Sequence, residues 1–367
     1  MNDIYSHIYN INNVNTIYFG KGSIRILQDI IKDKIKKKND YCVLFIDNFF
    51  EDKLDLLHLT FNNNNLVYYF IDTSNEPTTD IINLYTQEIT KLFKYKPNFI
   101  IGIGGGSTMD IAKAVSNLIT NGGLAEDYQG WDLLKVPGLY KVGIPTISGT
   151  GAESSKTCVL INKKKGIKLG MNSKYSVFNE LILDWNLTKT VDRDQYFYTG
   201  MDSYIHCIES LNGNLRNVLA DSLSIQVLNL CKEVFLSDDM MSEENRKKLM
   251  IASYFGGCAI GMSLVGLVHP FSAALSVVLG LHHCVSNCIV MRAMEEFYPK
   301  EFELFWKFVE TQNVKIPENI CKNLSEEDFI SLYNSTIVHR KPLENALGSN
   351  FERILTFEKV KEIFLKM

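Results

Sequence analysis

An aspartate and a histidine stand four positions apart in "YTGMDSYIHCIES" (198–210), within a run otherwise apolar enough to form a buried helix. Residues i and i+4 lie one above the other on a helix, so Asp202 and His206 present a carboxylate and an imidazole to one point. Two arrangements use such a pair: a hydrogen bond that satisfies both buried groups, or half of a metal site. Four of the seven histidines, His206, His269, His282 and His283, fall in apolar surroundings, three of them in "LVGLVHPFSAALSVVLGLHHCVSN" (264–287). One such imidazole is ordinarily satisfied within a core. Four beside one aspartate favour a shared divalent metal, because each uncompensated buried imidazole costs stability. Nitrogen and oxygen donors suit Fe2+ or Zn2+.

A second candidate site lies in "NFIIGIGGGSTMDIAKAV" (98–115), a strand, a glycine-rich turn and a helix predicted to open near Thr108. Gly104, Gly105, Gly106 and Ser107 would let the backbone approach a phosphate and expose successive N–H groups beside a helix N-terminus. A tight turn that binds nothing is the competing reading, at a larger cost in chain entropy. The turn is neither the dinucleotide fingerprint GxGxxG nor a Walker A loop. "IPTISGTGAES" (144–154) offers Thr146, Ser148 and Thr150 for ribose and phosphate contacts, or else forms a plain loop. Asp47, closing "YCVLFID" (41–47), could accept from an adenosine ribose and repel a 2′-phosphate, which tilts the cofactor from NADP toward NAD.

These residues need a frame. "NTIYFG" (15–20), "YCVLFID", "LVYYFID" (66–72) and "NFIIGIG" (98–104) read as strands, separated by the helical stretches "SIRILQDIIKDKIKK" and "TTDIINLYTQEITKLFKY". Alternating apolar strands and helices predict an α/β, Rossmann-like parallel sheet covered on both faces. Strand signals stop near residue 185, which predicts an α/β domain over 1–183 and an all-helical one over 184–367. A length of 367 residues is enough for two cores.

A formal net charge of −4, with basic runs only at 32–38 and 162–168, argues against nucleic acid as a partner. The apolar stretch 250–268 approaches membrane length, but its Gly, Ala, Ser and Cys content suits a packed helix better than insertion. The opening "MNDIYSHIYN" has no leader pattern, so the protein is expected in the cytoplasm with its eight cysteines reduced, Cys284 and Cys288 included.

Taken together, "GIGGGSTMDIAKAV", "IPTISGTGAES", "GMDSYIHCIES" and "LVHPFSAALSVVLGLHHCVSN" resemble the iron-containing alcohol dehydrogenases of the dehydroquinate synthase-like superfamily. That resemblance implies a metal held by Asp202, His206, His269 and His283, with iron favoured over zinc. It assigns the pyrophosphate of NAD(P) to Gly104, Gly105, Gly106 and Ser107, and ribose and nicotinamide contacts to Thr146, Ser148 and Thr150, with Lys168 a further cofactor contact. His282 is the candidate catalytic histidine. The family's additional histidine beyond the third ligand is Ala273 here, and the proline after the domain junction is absent. Details such as "DYQGWDL" (127–133) and "GLHHCVSNC" look closest to the members that oxidise C8 of the sugar acid 3-deoxy-D-manno-octulosonate (Kdo), ahead of amination for lipopolysaccharide. This implies a homodimer functionally linked to an aminotransferase, with NAD or dioxygen as electron acceptor. A sugar acid would need a cation away from the metal, for which Lys168, Lys174 and Arg193 are the candidates. The alternatives are a generic NAD-dependent alcohol or polyol dehydrogenase, a lyase of the dehydroquinate synthase type and a non-catalytic sensor.

Overall fold

The computed structural model describes residues 11–59, 65–92 and 95–367; the opening decapeptide read for a leader lies outside the described residues. Six parallel strands form the main sheet: β1 (Thr16–Phe19), β2 (Cys42–Asp47), β3 (Leu66–Ile71), β4 (Phe99–Gly104), β6 (Tyr140–Pro145) and β9 (Glu180–Leu183). Their order is β1-β9-β6-β4-β2-β3. The chain leaves β2 toward β3 on one side and returns through β4 on the other. The carboxyl ends of β2 and β4 therefore flank a topological switch point, where open α/β sheets bind their ligands. Asp47 ends β2, and Gly105 follows β4.

Strand residues alternate between two cores. Val43 and Phe45 pack on one face with Ile100, Val115 and Leu181, while Leu44 and Ile46 pack on the other with Leu27, Ile101 and Ile182. Fully burying each such side chain stabilises the fold by about 1.5–3 kcal/mol. Helices α1 (Ile26–Lys34), α2 (Thr79–Leu92) and α3 (Gly106–Asn121) belong to this half. The first predicted helix is shorter than its sequence suggested. Ser23–Arg25 form a 3-10 turn and α1 stops at Lys34, leaving the lysine-rich end outside it.

A second sheet, absent from the sequence reading, consists of β5 (Gly130–Trp131), β7 (Thr157–Asn162) and β8 (Ile167–Asn172) in the order β5-β8-β7. Lys113 of α3, fully buried, anchors it by donating to Ala152 O (2.9 Å) and to Thr157 O, while Asp110 pairs with it at 3.1 Å and accepts from Val159 N (2.8 Å).

After Leu183 the described chain is helical: α4 (Arg193–Asn212), α5 (Val218–Phe235), α6 (Glu243–Met262), α7 (Val268–Leu279), α8 (His283–Met291) and the helices through Phe357–Leu365. They enclose one large core that includes Phe197, Tyr204, Phe235, Phe271 and Phe308. The apolar stretch at 250–268 is split between α6 and α7, and among the described residues no helix is long and apolar enough to cross a membrane.

The two halves meet backbone to backbone. Gly149 (φ +142°) and Gly151 (φ +61°) occupy conformations that favour glycine. A Cβ on Gly149 would lie 1.6 Å from Thr199 O, and one on Gly151 would lie 2.6 Å from Gly257 Cα. Ser203 donates to Gly149 O (2.8 Å), which closes the joint.

Candidate metal and nucleotide cleft

Asp202 and His206 sit mid-way along α4, a helix started by Asp192, whose carboxylate accepts from Asp194 N and Gln195 N. His269 lies in the first turn of α7 and His283 opens α8; Gly280 (φ +69°) ends α7 in a left-handed turn between them. Asp202, His269 and His283 each bring a ligand atom within 4.8 Å of the others. His206 joins from one side, with Nε2 3.5 Å from Asp202 Oδ1 and its ring stacked on His269 at 4.7 Å, but it lies outside that trio.

Two glutamates complete the arrangement, and sequence reasoning passed over both. Glu209 accepts from Val268 N (2.5 Å), His269 N and His269 Nδ1. It thereby caps α7, which has no side-chain cap of its own, and turns His269 Nε2 toward Asp202. Glu76, from the loop between β3 and α2, accepts from His283 N (2.8 Å), the first residue of α8. Each helix N-terminus that carries a candidate ligand is thus met by an acid from elsewhere in the chain. Asn287, one turn after His283, donates to Asp202 Oδ1 (2.7 Å). Glu209 was within reach of sequence reasoning, since Asp202, His206 and Glu209 recur at i, i+4 and i+7. Glu76 carried no comparable signal.

Burial holds the imidazoles of His206 and His283 down at about 4 and about 3, so both keep a free lone pair at neutral pH. Burial also opposes charge on His269, but Glu209 and Asp202 outweigh it and push the ring up to about 10. Burial raises the Asp202 carboxyl, yet His206, His283 and His269 together hold it well below the usual carboxylate range. The cluster is therefore one carboxylate, two neutral imidazoles and one imidazolium whose Nε2, though 3.4 Å from Asp202, makes no hydrogen bond. An orphaned, buried ring nitrogen beside a carboxylate and two lone pairs fits a divalent ion that displaces the His269 proton. Cys284 and Cys288 are no part of this donor set. Burial keeps both as thiols, and Cys284 Sγ donates to Asp202 Oδ2 at 3.7 Å.

The cluster lies in a cleft of about 740 Å³ that also reaches the switch point. Asp47, Gly105, Gly106, Ser107, Thr150, Lys168, His282 and Ala273 line it. Helix α3 opens at Gly106 rather than near Thr108, because Gly105 takes an extended N-cap conformation; this brings the helix N-terminus directly behind the turn. A Cβ at Gly105 would stand 2.6 Å from Ile147 Cδ1, and one at Gly104 would stand 2.6 Å from Thr108 Oγ1.

Other residues singled out from sequence stand apart from the cleft lining. Gly104, Thr146 and Ser148 are not among the residues that line it, and Thr146 and Ser148 are buried. Asp47 accepts from Phe49 N (3.0 Å) and Thr73 Oγ1 (3.2 Å) at the rim. Lys168 is buried and ion-paired to Glu76 at 2.9 Å. Lys174 is exposed and borders a separate, smaller pocket. Arg193 binds Gln312 (3.1 Å) outside the cleft. His282 is exposed at the cleft edge, outside the cluster. His339, absent from the sequence reading, lines the cleft with a buried Nε2 that has no hydrogen-bond partner.

Fold and cluster define a class: an α/β protein whose switch-point cleft continues into a helical half furnished with metal-binding side chains. Sequence profiles carry this further, matching "Iron-containing alcohol dehydrogenase" over residues 15–185 and "Fe-containing alcohol dehydrogenase family, C-terminal" over 196–329. The chain belongs to the iron-containing alcohol dehydrogenase family. It is 31% identical over 218 residues to the sulfoacetaldehyde reductase of Bilophila wadsworthia, covering 58% of this chain and 55% of that protein. It is 26% identical over 298 residues to alcohol dehydrogenase 4 of Saccharomyces cerevisiae, covering 76% and 73%. The chain spans about half the length of the first of these, and likewise 56% of alcohol dehydrogenase 4 of Schizosaccharomyces pombe. Its fold is similar to that of 1,3-propanediol oxidoreductase, with a TM-score of 0.82 at 18% identity over 98% of this chain and 99% of that one. Sulfoacetaldehyde reductase from Bifidobacterium kashiwanohense, solved with NAD+, superposes with a TM-score of 0.78 at 21% identity over 97% and 98%.

Proposed function

We propose that this chain is an NAD-linked, divalent-metal-dependent oxidoreductase that interconverts a primary alcohol and its aldehyde. One observation carries the reading: the Asp202–His269–His283 cluster and the Gly105–Ser107 turn open into the same cleft. Asp202, His269 and His283 would hold the ion, with His206 completing the set. A bound ion supplies Lewis acidity that favours the alkoxide over the alcohol.

The remaining work falls to the protein. Asn287 fixes the Asp202 carboxylate, and Glu209 fixes the His269 tautomer, so the donor set is oriented in advance. Gly105 and Gly106 would admit a pyrophosphate to the N-terminus of α3, and Asp47, lining the same cleft, would meet an adenosine ribose. Thr150 and Lys168 line the same cleft. Both reactants held in one enclosed cleft turn hydride transfer into a near-intramolecular step.

The relatives named above carry alcohol, aldehyde and diol substrates in their names, which supports the general reading over oxidation of Kdo at C8. The sugar-acid reading, with its homodimer and aminotransferase partner, rests on motif resemblance. Purified protein loaded with Fe2+ or Zn2+ is expected to oxidise NADH when given short aldehydes and to reduce NAD+ with the matching alcohols. No turnover with either metal across such a panel would overturn the proposal. Kdo outperforming all short alcohols in kcat/KM would restore the narrower one.

A further inference from the structure

One wall of the same cleft is built from β5, β7, β8 and the start of the helix Arg340–Leu347. Trp131 of β5 pairs with Asn172 at the end of β8, and Ser173 N donates to Lys156 O (3.0 Å). Lys156 and Trp131 therefore stand on either side of the end of β8. Lys341 reaches the same place from the helix Arg340–Leu347, with Nζ 4.3 Å above the Trp131 ring. All three line the cleft.

The cations of this cleft fall into two groups. Lys168 is neutralised by Glu76 at 2.9 Å, and Arg340 by Glu352 and Glu344. Lys156 and Lys341 have no carboxylate within ion-pair distance among the described residues. Burial disfavours the charge of Lys156, Asp132 partly offsets this, and Lys341 adds a smaller push in the same direction as burial. Two ammonium groups on one wall, neither within ion-pair distance of a carboxylate among the described residues although Asp132 acts on Lys156, gain from receiving an anion. His339, two residues before Lys341, adds the unpartnered Nε2. Burial, then Lys168 and His269, hold its ring down at about 4, so at neutral pH it offers a hydrogen bond and no charge.

We propose that the substrate carries an oxyanion, a carboxylate or a sulfonate, at the end remote from its reacting carbon, and that Lys156 and Lys341 receive it with His339. This rests on the alcohol–aldehyde reading above and narrows it to a substrate class. It also revises the sequence expectation, since the distal cations are neither Lys168, Lys174 nor Arg193.

The test compares 4-oxobutanoate with butanal, and 3-oxopropanesulfonate with propanal, as substrates of the metal-loaded protein with NADH. The native protein is expected to favour each anion by about tenfold or more in kcat/KM, the scale of one charge-assisted contact. Added salt should shrink the preference, and the larger of the two ratios tells carboxylate from sulfonate. The double variant Lys156→Met/Lys341→Met should bring the ratio close to one through KM. Lys341→Met alone, at an exposed position, is the fallback should the double variant not fold. A native ratio near one, or a ratio that the variants leave unchanged, would overturn the proposal. If neither aldehyde of a pair turns over, it is the catalytic reading that fails. Succinate binding by calorimetry, native protein against Lys341→Met, then decides the subsite without turnover: equal affinity, or no binding at all, overturns it.

Discussion

At the Asp47 end of the cleft the groups offered to a ligand are largely backbone N–H groups, uncovered by Gly105 and Gly106 at the start of α3. At the Asp202 end they are side chains from α4, α7 and α8, each held by a further polar residue. A backbone site is specified by what is missing, a Cβ, and is damaged by adding atoms. A side-chain site is specified by what is present, and is damaged by removing them. The two ends should therefore fail independently and in opposite ways.

The sharpest separation is expected from Asp202→Ala. Loss of the central carboxylate should abolish metal uptake, measured by elemental analysis. Lewis-acid stabilisation is worth several kcal/mol, so kcat/KM should fall by about a thousandfold or more, while NADH still binds. Retained stoichiometric metal would break the comparison. Its mirror image is Gly105→Val, where the new side chain meets Ile147. NADH affinity should drop by roughly 100-fold, about 2.7 kcal/mol, with metal content unchanged. A loss of metal in this variant would mean that the two ends are one cooperative unit. Glu209→Gln keeps the hydrogen bonds to α7 but weakens the hold on His269, and metal affinity should fall by about 10–100-fold. An affinity equal to the native value would reduce Glu209 to a helix cap.

The smallest effect is one of pH. His206 and His283 bind protons more weakly folded, at about 4 and about 3, than an unfolded histidine does. The unfolded chain therefore takes up more protons below about 6.5, and metal-free protein should lose stability as pH falls from there through 4. Denaturant midpoints measured across that range check the sign, and a midpoint that rises on acidification would contradict it. His269, pushed up to about 10, acts oppositely: its contribution is complete below about 6.5 and fades as pH rises toward 10.

The same contrast governs what could be read from the chain. The strands ending at Asp47 and Gly104 were legible because consecutive apolar residues can only be buried on both faces of a sheet. Asp202, His269 and His283 were legible because charged or titratable groups stand out in apolar runs. The second sheet was not: β5 is two residues long, and β7 and β8 are a hairpin split by the polar turn after Asn162. Glu76 and His283 meet across 207 positions, a distance at which no local periodicity operates. Thr146 and Ser148 were read as cofactor contacts because small hydroxyls beside glycine suit a phosphate. The same residue types also suit close packing, and in the fold both are buried and neither lines the cleft.

The joint at Gly149 and Gly151 has a mechanical consequence. Where two backbones touch with no side chain between them, a slide of a fraction of an ångström meets hard repulsion, whereas a small rocking motion does not. The contact against Thr199 and Gly257 would then serve as a fulcrum, with the glycine turn and the Asp202–His269–His283 cluster on the two arms of a lever. In the proposed reaction, rocking about it would vary the gap between the glycine turn and the Asp202 cluster, while the lateral register of the two arms would stay fixed.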